Sequence, residues 1–220
     1  MAIYSEYEKP IWDALLATIG NEYGVAGLMG NLYAESSLFP GRVQGDFSAG
    51  YANSIAYTQQ LNSGQIAENT FVYNGPGGGG YGLAQWTFYS RKQNYWNFWH
   101  TYQHGNAGTV QFECWFLLWE LQNEYSGVYS VLQNATSVRQ ASDVVLHQFE
   151  NPEVQTEAVE IQRAGYGQNL YNEYSGSPPG PGPEPGDGTA TWIAVFHMIQ
   201  KRKQGVIYYR HKNKIGGGFR

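Results

Sequence analysis

The chain of 220 residues has one cysteine, Cys114, which excludes an internal disulfide framework and a cysteine-built zinc cluster. Charge is scarce, at 14 % of residues, and the formal net charge is −5. That balance argues against a protein held to nucleic acid by general electrostatics. No apolar run reaches the ~18 residues of a membrane span. The first ten residues, Met1 to Pro10, have neither a basic n-region nor an apolar h-region, so no secretory leader is expected there. Gly-Lys-Ser/Thr and Gly-x-Ser-x-Gly are both missing, which removes the phosphate loop and the serine-hydrolase elbow. Gly75 to Gly80 formally satisfies Gly-x-Gly-x-x-Gly. No helix opens directly from it and no acidic residue follows at the required spacing, so no dinucleotide site is expected.

What charge there is lies unevenly. Residues 1–176 carry 16 acidic and 6 basic side chains, whereas residues 177–220 carry 2 and 7. At the change lies Ser175-Gly-Ser-Pro-Pro-Gly-Pro-Gly-Pro-Glu-Pro-Gly-Asp-Gly188. Its prolines fix φ and remove donors while its glycines are permissive, so residues 175–188 read as a semi-extended linker. Residues 1–174 then form the main domain. Residues 189–220 form a basic segment that could be a hairpin or the start of a further domain. Lys201, Arg202, Lys203, Arg210, Lys212, Lys214 and Arg220 could hold the protein near a polyanionic wall, or could simply be solvated.

The main domain is expected to be mainly α, with a small loop or hairpin region. Ser5 and Glu8 fit a capping box ahead of Ile11, Trp12, Leu15, Leu16 and Ile19. Asn21 can cap a second helix carrying Val25, Leu28, Met29 and Leu32 at helical spacing. Gly24, Gly27 and Gly30 share another stripe of that helix. Each costs ~1 kcal/mol there, so three of them imply close approach by a neighbouring backbone. Residues 42–80 show no helical periodicity; Thr70-Phe-Val-Tyr73 reads as a short strand in a loop. Helices are expected again over residues 87–102, 109–125 and 137–149, and between Val154 and Tyr174. Cys114 falls mid-stripe in the second of these and reads as core.

Glu35 continues the apolar face of the second helix into its last turn, three residues after Leu32 and seven after Leu28. Partial desolvation and the negative helix end both disfavour a charged carboxylate, which suits a general acid. The plain alternative is a glutamate that swings out at a fraying helix end.

Gly27-Leu-Met-Gly-Asn-Leu-Tyr-Ala-Glu-Ser-Ser-Leu-Phe-Pro40, followed by Gly80-Tyr-Gly-Leu-Ala-Gln-Trp-Thr87, resembles the phage tail lysozyme family. This lysozyme-like branch is related to goose-type lysozymes and lytic transglycosylases. Ser90-Arg-Lys-Gln93, Ser137 to Ser142, Gln148-Phe-Glu-Asn-Pro152 and Arg163 to Gln168 extend the likeness over about residues 8–174. The resemblance implies an α+β lysozyme-like fold with a substrate cleft, no cofactor and no metal. It implies that Glu35 is the acid cleaving β-1,4 bonds of peptidoglycan, between N-acetylmuramic acid and N-acetylglucosamine. Gln85 would contact a sugar N-acetyl group or hold the shape of the cleft. Tyr81 and Trp86 would face the sugar rings or pack in the core, and Ser36 would line the cleft beside Glu35.

Glycosidases of the two-carboxylate kind need a partner for the acid. Asp46 and Glu68 lie in the intervening region, and Asp46, the nearer to Glu35, is the candidate base. A transglycosylase would use the substrate's own acetamido group instead. Glu150 fits the family pattern and reads as structural.

The expected partners are bacterial peptidoglycan and other phage tail or lysis proteins, with the protein carried on a virion tail or released to the wall as an endolysin. Two rivals stay open: a wall-binding tail protein without turnover, and a metallopeptidase through His100 and His104. The latter pair lacks the glutamate of a His-Glu-x-x-His site and suits a helix surface equally well.

Overall fold

The computed structural model describes residues 5–74, 79–102 and 106–177. The expectations for residues 178–220, for the Gly75–Gly78 stretch and for His104 lie outside the described residues, as does the Ser5 side chain. The described part is helical: α1 (Ser5–Ile19), α2 (Glu22–Ser36), α3 (Ala52–Asn62), α4 (Glu68–Asn74), α5 (Tyr89–Tyr102), α6 (Val110–Asn123), α7 (Ser126–Asn134), α8 (Val138–Val145) and α9 (Glu157–Tyr174). A π-helical turn, Leu146–Glu150, continues α8. Only isolated β-bridges appear among the described residues, Val43 with Tyr81 and Tyr81 with Trp86. None of the described helices is long and apolar enough to cross a membrane.

The central element is α2, which packs against α1, α7, α8 and α9. Asn21 caps it through a hydrogen bond from the Gly24 amide. Its three glycines mark three crossings. A Cβ at Gly24 would meet the Leu132 carbonyl of α7, one at Gly27 would meet Ala141 and Ser142 of α8, and one at Gly30 would meet Arg163 and Gly167 of α9. The glycine stripe thus lets three helices approach at backbone distance, and a helix so enclosed is buried nearly all round.

Three helices were not expected from the pattern. The Thr70–Tyr73 run is helical, within α4, because Phe71 and Val72 are both buried and Phe71 packs on Tyr81, Tyr95 and Trp96. Tertiary packing outweighs the β preference of four residues. Within the supposed loop, α3 turns Ser54, Thr58 and Leu61 inward. Two of the three are hydroxyl residues, so the helical period is hidden from a hydrophobicity pattern. The short α7 buries only Val128 and Leu132.

At the N-terminus, Glu8 accepts a hydrogen bond from Tyr174 Oη at 3.2 Å, joining α1 to α9. At α8, Ser137 accepts from the Gln140 amide as a capping box requires, while the Gln140 side chain reaches back to the Thr136 amide.

Candidate functional site

Glu35 ends the buried run of α2. Its side chain is 22 % exposed, and Oε1 lies 2.7 Å from Arg163 Nη2 of α9. The same guanidinium donates through Nη1 to Asn31 Oδ1, one turn earlier on α2. Asn31 is fully buried and donates in turn to the Gly27 carbonyl and to both oxygens of Ser142 on α8. Glu35 is therefore held by a side chain of α9 that is itself bonded to Asn31 of α2, not left to fray.

The chain then turns abruptly. Ser37 and Leu38 both adopt left-handed backbone, φ 56° and 58°, uncommon for residues with a side chain, and Ser37 closes α2 as its C-cap, donating its amide to the Tyr33 carbonyl. Arg42 stitches this corner: Nη1 donates to the Ser36 carbonyl, Ser37 Oγ and Tyr51 Oη, and Nη2 to the Asp46 carbonyl.

The Gly80–Thr87 segment is tied to the corner by backbone and side chain. Gly82 donates to the Arg42 carbonyl and Gln44 to the Gly80 carbonyl, while Tyr81 and Trp86 exchange a pair of hydrogen bonds around the turn. Gln85, with φ 43°, donates its side-chain amide to the carbonyls of Arg42 and Gly82. Glu113 of α6 binds both halves from below. Oε1 accepts from the Gly41 amide at 3.0 Å and Oε2 from the Leu83 amide at 2.8 Å. Burial pushes the Glu113 carboxyl up to about 8, against the opposing effect of those amides.

The positions expected at a cleft divide sharply. Gln85 is half-buried and holds the turn. Tyr81, Trp86 and Ser36 have no exposed surface. Tyr81 Oη bonds Thr58, Trp86 Nε1 donates to Glu120, and Ser36 Oγ donates to the Leu32 carbonyl, so these three build the wall behind the site and present no face to a sugar. Asp46 is also buried. Its Oδ1 accepts from Ser48 N and Oγ and from Asn53, and its Oδ2 accepts from Ser54 N and Oγ. Burial would raise its pKa, but the hydrogen bonds from Ser48 and Ser54 outweigh that and hold it well below the usual carboxylate range. Asp46 thereby anchors the start of α3. Glu68 is bonded to Gln93 at 2.6 Å.

One further carboxyl, Glu150, feels the charge of Glu35. It ends the π-helical turn, which Asn151 closes at φ 45°. Its Oε1 is buried and has no hydrogen-bond partner. Burial first, and the Glu35 charge second, raise its pKa well above the carboxylate range, while Arg91 and Arg163 oppose them. Arg91 lies 4.5 Å over the Phe149 ring and makes a two-pronged bond to Glu120, the same carboxylate that receives Trp86.

Arg91 and Arg163 entered the sequence reading only inside stretches that carry the family resemblance, and Glu113 and Glu120 were not singled out. A signal existed for these two: they sit seven apart, on one face of a mostly apolar helix, where an unpaired carboxylate is too costly to bury. His100 stacks on Trp96 and its Nδ1 lies 2.9 Å from the Trp96 carbonyl oxygen.

A family model described as phage tail lysozyme matches residues 6–174. The chain belongs to the phage tail lysozyme family. The match runs from α1 to the end of α9 and takes in every residue of the site just described. The family points to a lysozyme-like, peptidoglycan-degrading enzyme that acts from a phage tail or outside the cell. Comparison with curated proteins and with solved structures gives no match.

Proposed function

We propose that the protein cleaves the β-1,4 bond between N-acetylmuramic acid and N-acetylglucosamine in bacterial peptidoglycan, with Glu35 as general acid. The observation that carries the reading is the placement of Glu35. It is a part-exposed carboxyl at the end of an enclosed helix, oriented by Arg163 and followed by a strained corner. Proton donation to the glycosidic oxygen needs that combination of fixed position and access. Gln85 supports the reading by shape, since its amide is spent on the Arg42 and Gly82 carbonyls. The protein would reach the wall on a phage tail or after release, alongside other tail or lysis proteins.

One observation favours a transglycosylase variant of this chemistry. The Asp46 oxygens are taken up by Ser48, Asn53 and Ser54, which leaves Asp46 poorly suited to activate a water. Attack by the substrate's acetamido group needs no such base.

Mass spectrometry of soluble fragments released from purified peptidoglycan, by wild type and by Glu35→Gln, tests both. Reducing-end muramic acid released only by wild type supports the hydrolase. Anhydro-muramic ends support the transglycosylase. If neither protein releases fragments from several wall types, the chain is a wall-binding tail protein and the proposal is wrong.

A further inference from the structure

His147 lies in the π-helical turn, and both of its ring nitrogens face oxygen acceptors from further along the chain. Nδ1 stands 2.7 Å from Gln155 Oε1, and Nε2 stands 2.9 Å from Glu160 Oε1. Gln155 belongs to the segment that joins the turn to α9, and Glu160 to the first turn of α9. The second Glu160 oxygen accepts from Arg139 of α8, which also pairs with Asp143 one turn along its own helix. Glu150, Glu153, Glu157 and Arg163, carried by the same turn, segment and helix, make no hydrogen bond to the ring, nor does Glu35 of α2.

The orientation of the Gln155 amide is fixed by its other contacts. Its Nε2 donates to the Pro152 carbonyl at 2.9 Å and to Asn151 Oδ1 at 2.7 Å. A carbonyl only accepts, so the amide nitrogen faces Pro152 and the amide oxygen faces His147. A neutral imidazole has one N–H and one lone pair. Whichever nitrogen keeps the hydrogen, the other turns its lone pair onto an acceptor. Only the imidazolium donates to both. Flipping the amide would suit a neutral ring, but it would set Oε1 against the Pro152 carbonyl and give up the bonds of Nε2. In agreement, the hydrogen bond to Gln155 first, then the hydrogen bond and charge of Glu160 and the charge of Asp143, raise the His147 pKa above its ordinary value, against the opposing effect of burial.

We propose that His147 is a positioning residue: as an imidazolium it clasps the 151–156 segment and the first turn of α9 to the π-helical turn, and thereby holds Arg163 against Glu35. Arg163 follows Glu160 by three residues, one turn further along α9, and its guanidinium makes the 2.7 Å contact to Glu35. The consequence for activity rests on the reading of Glu35 as general acid; the clasp itself does not. Because the folded pKa is raised, the clasp is complete below the unfolded value of about 6.5 and is lost as pH rises through the folded value.

The test uses the full chain and two readouts. Ring-carbon NMR follows His147 directly, its signal assigned by its loss in His147→Gln. The wild-type midpoint should lie above about 6.5 and should fall in both Gln155→Ala and Glu160→Gln. A wild-type midpoint at or below that value, or an unchanged midpoint in either variant, overturns the two-sided clasp. The second readout is the ratio of kcat on purified peptidoglycan between wild type and His147→Gln. At about pH 5.5 wild type should be faster by at least about twofold, and the ratio should approach one at about pH 8.5, where the ring is neutral. A ratio that does not change with pH overturns the positioning role, because a merely structural loss would be felt equally at both values. Full activity in Glu35→Gln would instead overturn the assignment of the general acid, and the NMR titrations would still decide the clasp.

Discussion

Arg163 and Glu35 meet at 2.7 Å although 128 positions separate them in the chain, and the contact closes the last helix of the domain onto the end of the second. The guanidinium is bonded at the same time to Asn31, so Glu35 is positioned by a fork anchored at two points of its own helix. Arg163→Met removes the fork with little change in bulk. It should cost about 1.5–3 kcal/mol of stability, the range for hydrogen bonds to charged groups, and lower kcat more than it raises KM. Arg163→Lys should recover only part of this, because one ammonium cannot reproduce the planar fork. Denaturant melts and steady-state kinetics of both variants check it. Equal kinetics in all three proteins would remove Arg163 from the account of the site.

Gly30 meets the same part of α9, with the Gly167 amide nitrogen 2.6 Å from where a Cβ would lie. Gly30→Ala must push α9 outward and carry Arg163 with it. A loss of about 1–3 kcal/mol is expected from overpacking, together with reduced activity at temperatures where the variant is still folded. Gly165→Ala, on the same helix, has no atom within 4 Å of its Cβ and should be neutral or slightly stabilising. Paired thermal melts read the contrast directly.

Asp46 offers a test that separates a loop anchor from a catalytic base. Its folded pKa is depressed, so its contribution is present above the unfolded value and is lost only as pH falls into the strongly acidic range. Asp46→Asn replaces one acceptor oxygen by a donor facing Ser48 or Ser54. A lower Tm by several degrees is expected at neutral pH, with kcat close to wild type well below that Tm. A variant that melts like wild type but has lost kcat would restore Asp46 as the base.

Glu113 has the opposite sign. Its folded pKa is raised, from about 4.5 to about 8, so its stabilising contribution is complete below about 4.5 and declines as pH rises through the window up to about 8. Stability of the wild type should therefore show a downward slope across this range, and Glu113→Gln should lack that component. Chemical denaturation at several pH values from 4 to 8 measures it. Parallel curves for the two proteins would show that Glu113 keeps an ordinary carboxylate pKa in the folded state.

Much of the framework was legible in the residues alone. Asn21 and Ser137 announced helix starts, because a side-chain oxygen can reach an unpaired amide only at such a position. Gly24, Gly27 and Gly30 announced close crossings, though not which helices would cross. Glu35 stood out because a carboxylate that continues an apolar face contradicts its surroundings. The helices α3 and α4 were not readable: one hides its inward face in hydroxyls, and the other is a β-prone run overruled by the aromatic rings packed on Phe71.

Periodicity, caps and the Glu-Ser and Gly-Leu-Ala-Gln motifs by themselves determined a mainly helical, lysozyme-like chain and drew attention to Glu35, since each rests on neighbours within a turn or two. Only the tertiary structure decided the company Glu35 keeps. It sent Tyr81, Trp86 and Ser36 inward, committed Asp46 to α3, and brought Arg163 to the end of α2. Those partnerships depend on helices that meet across more than a hundred residues, and the desolvation and charge that govern them exist only once the helices have packed.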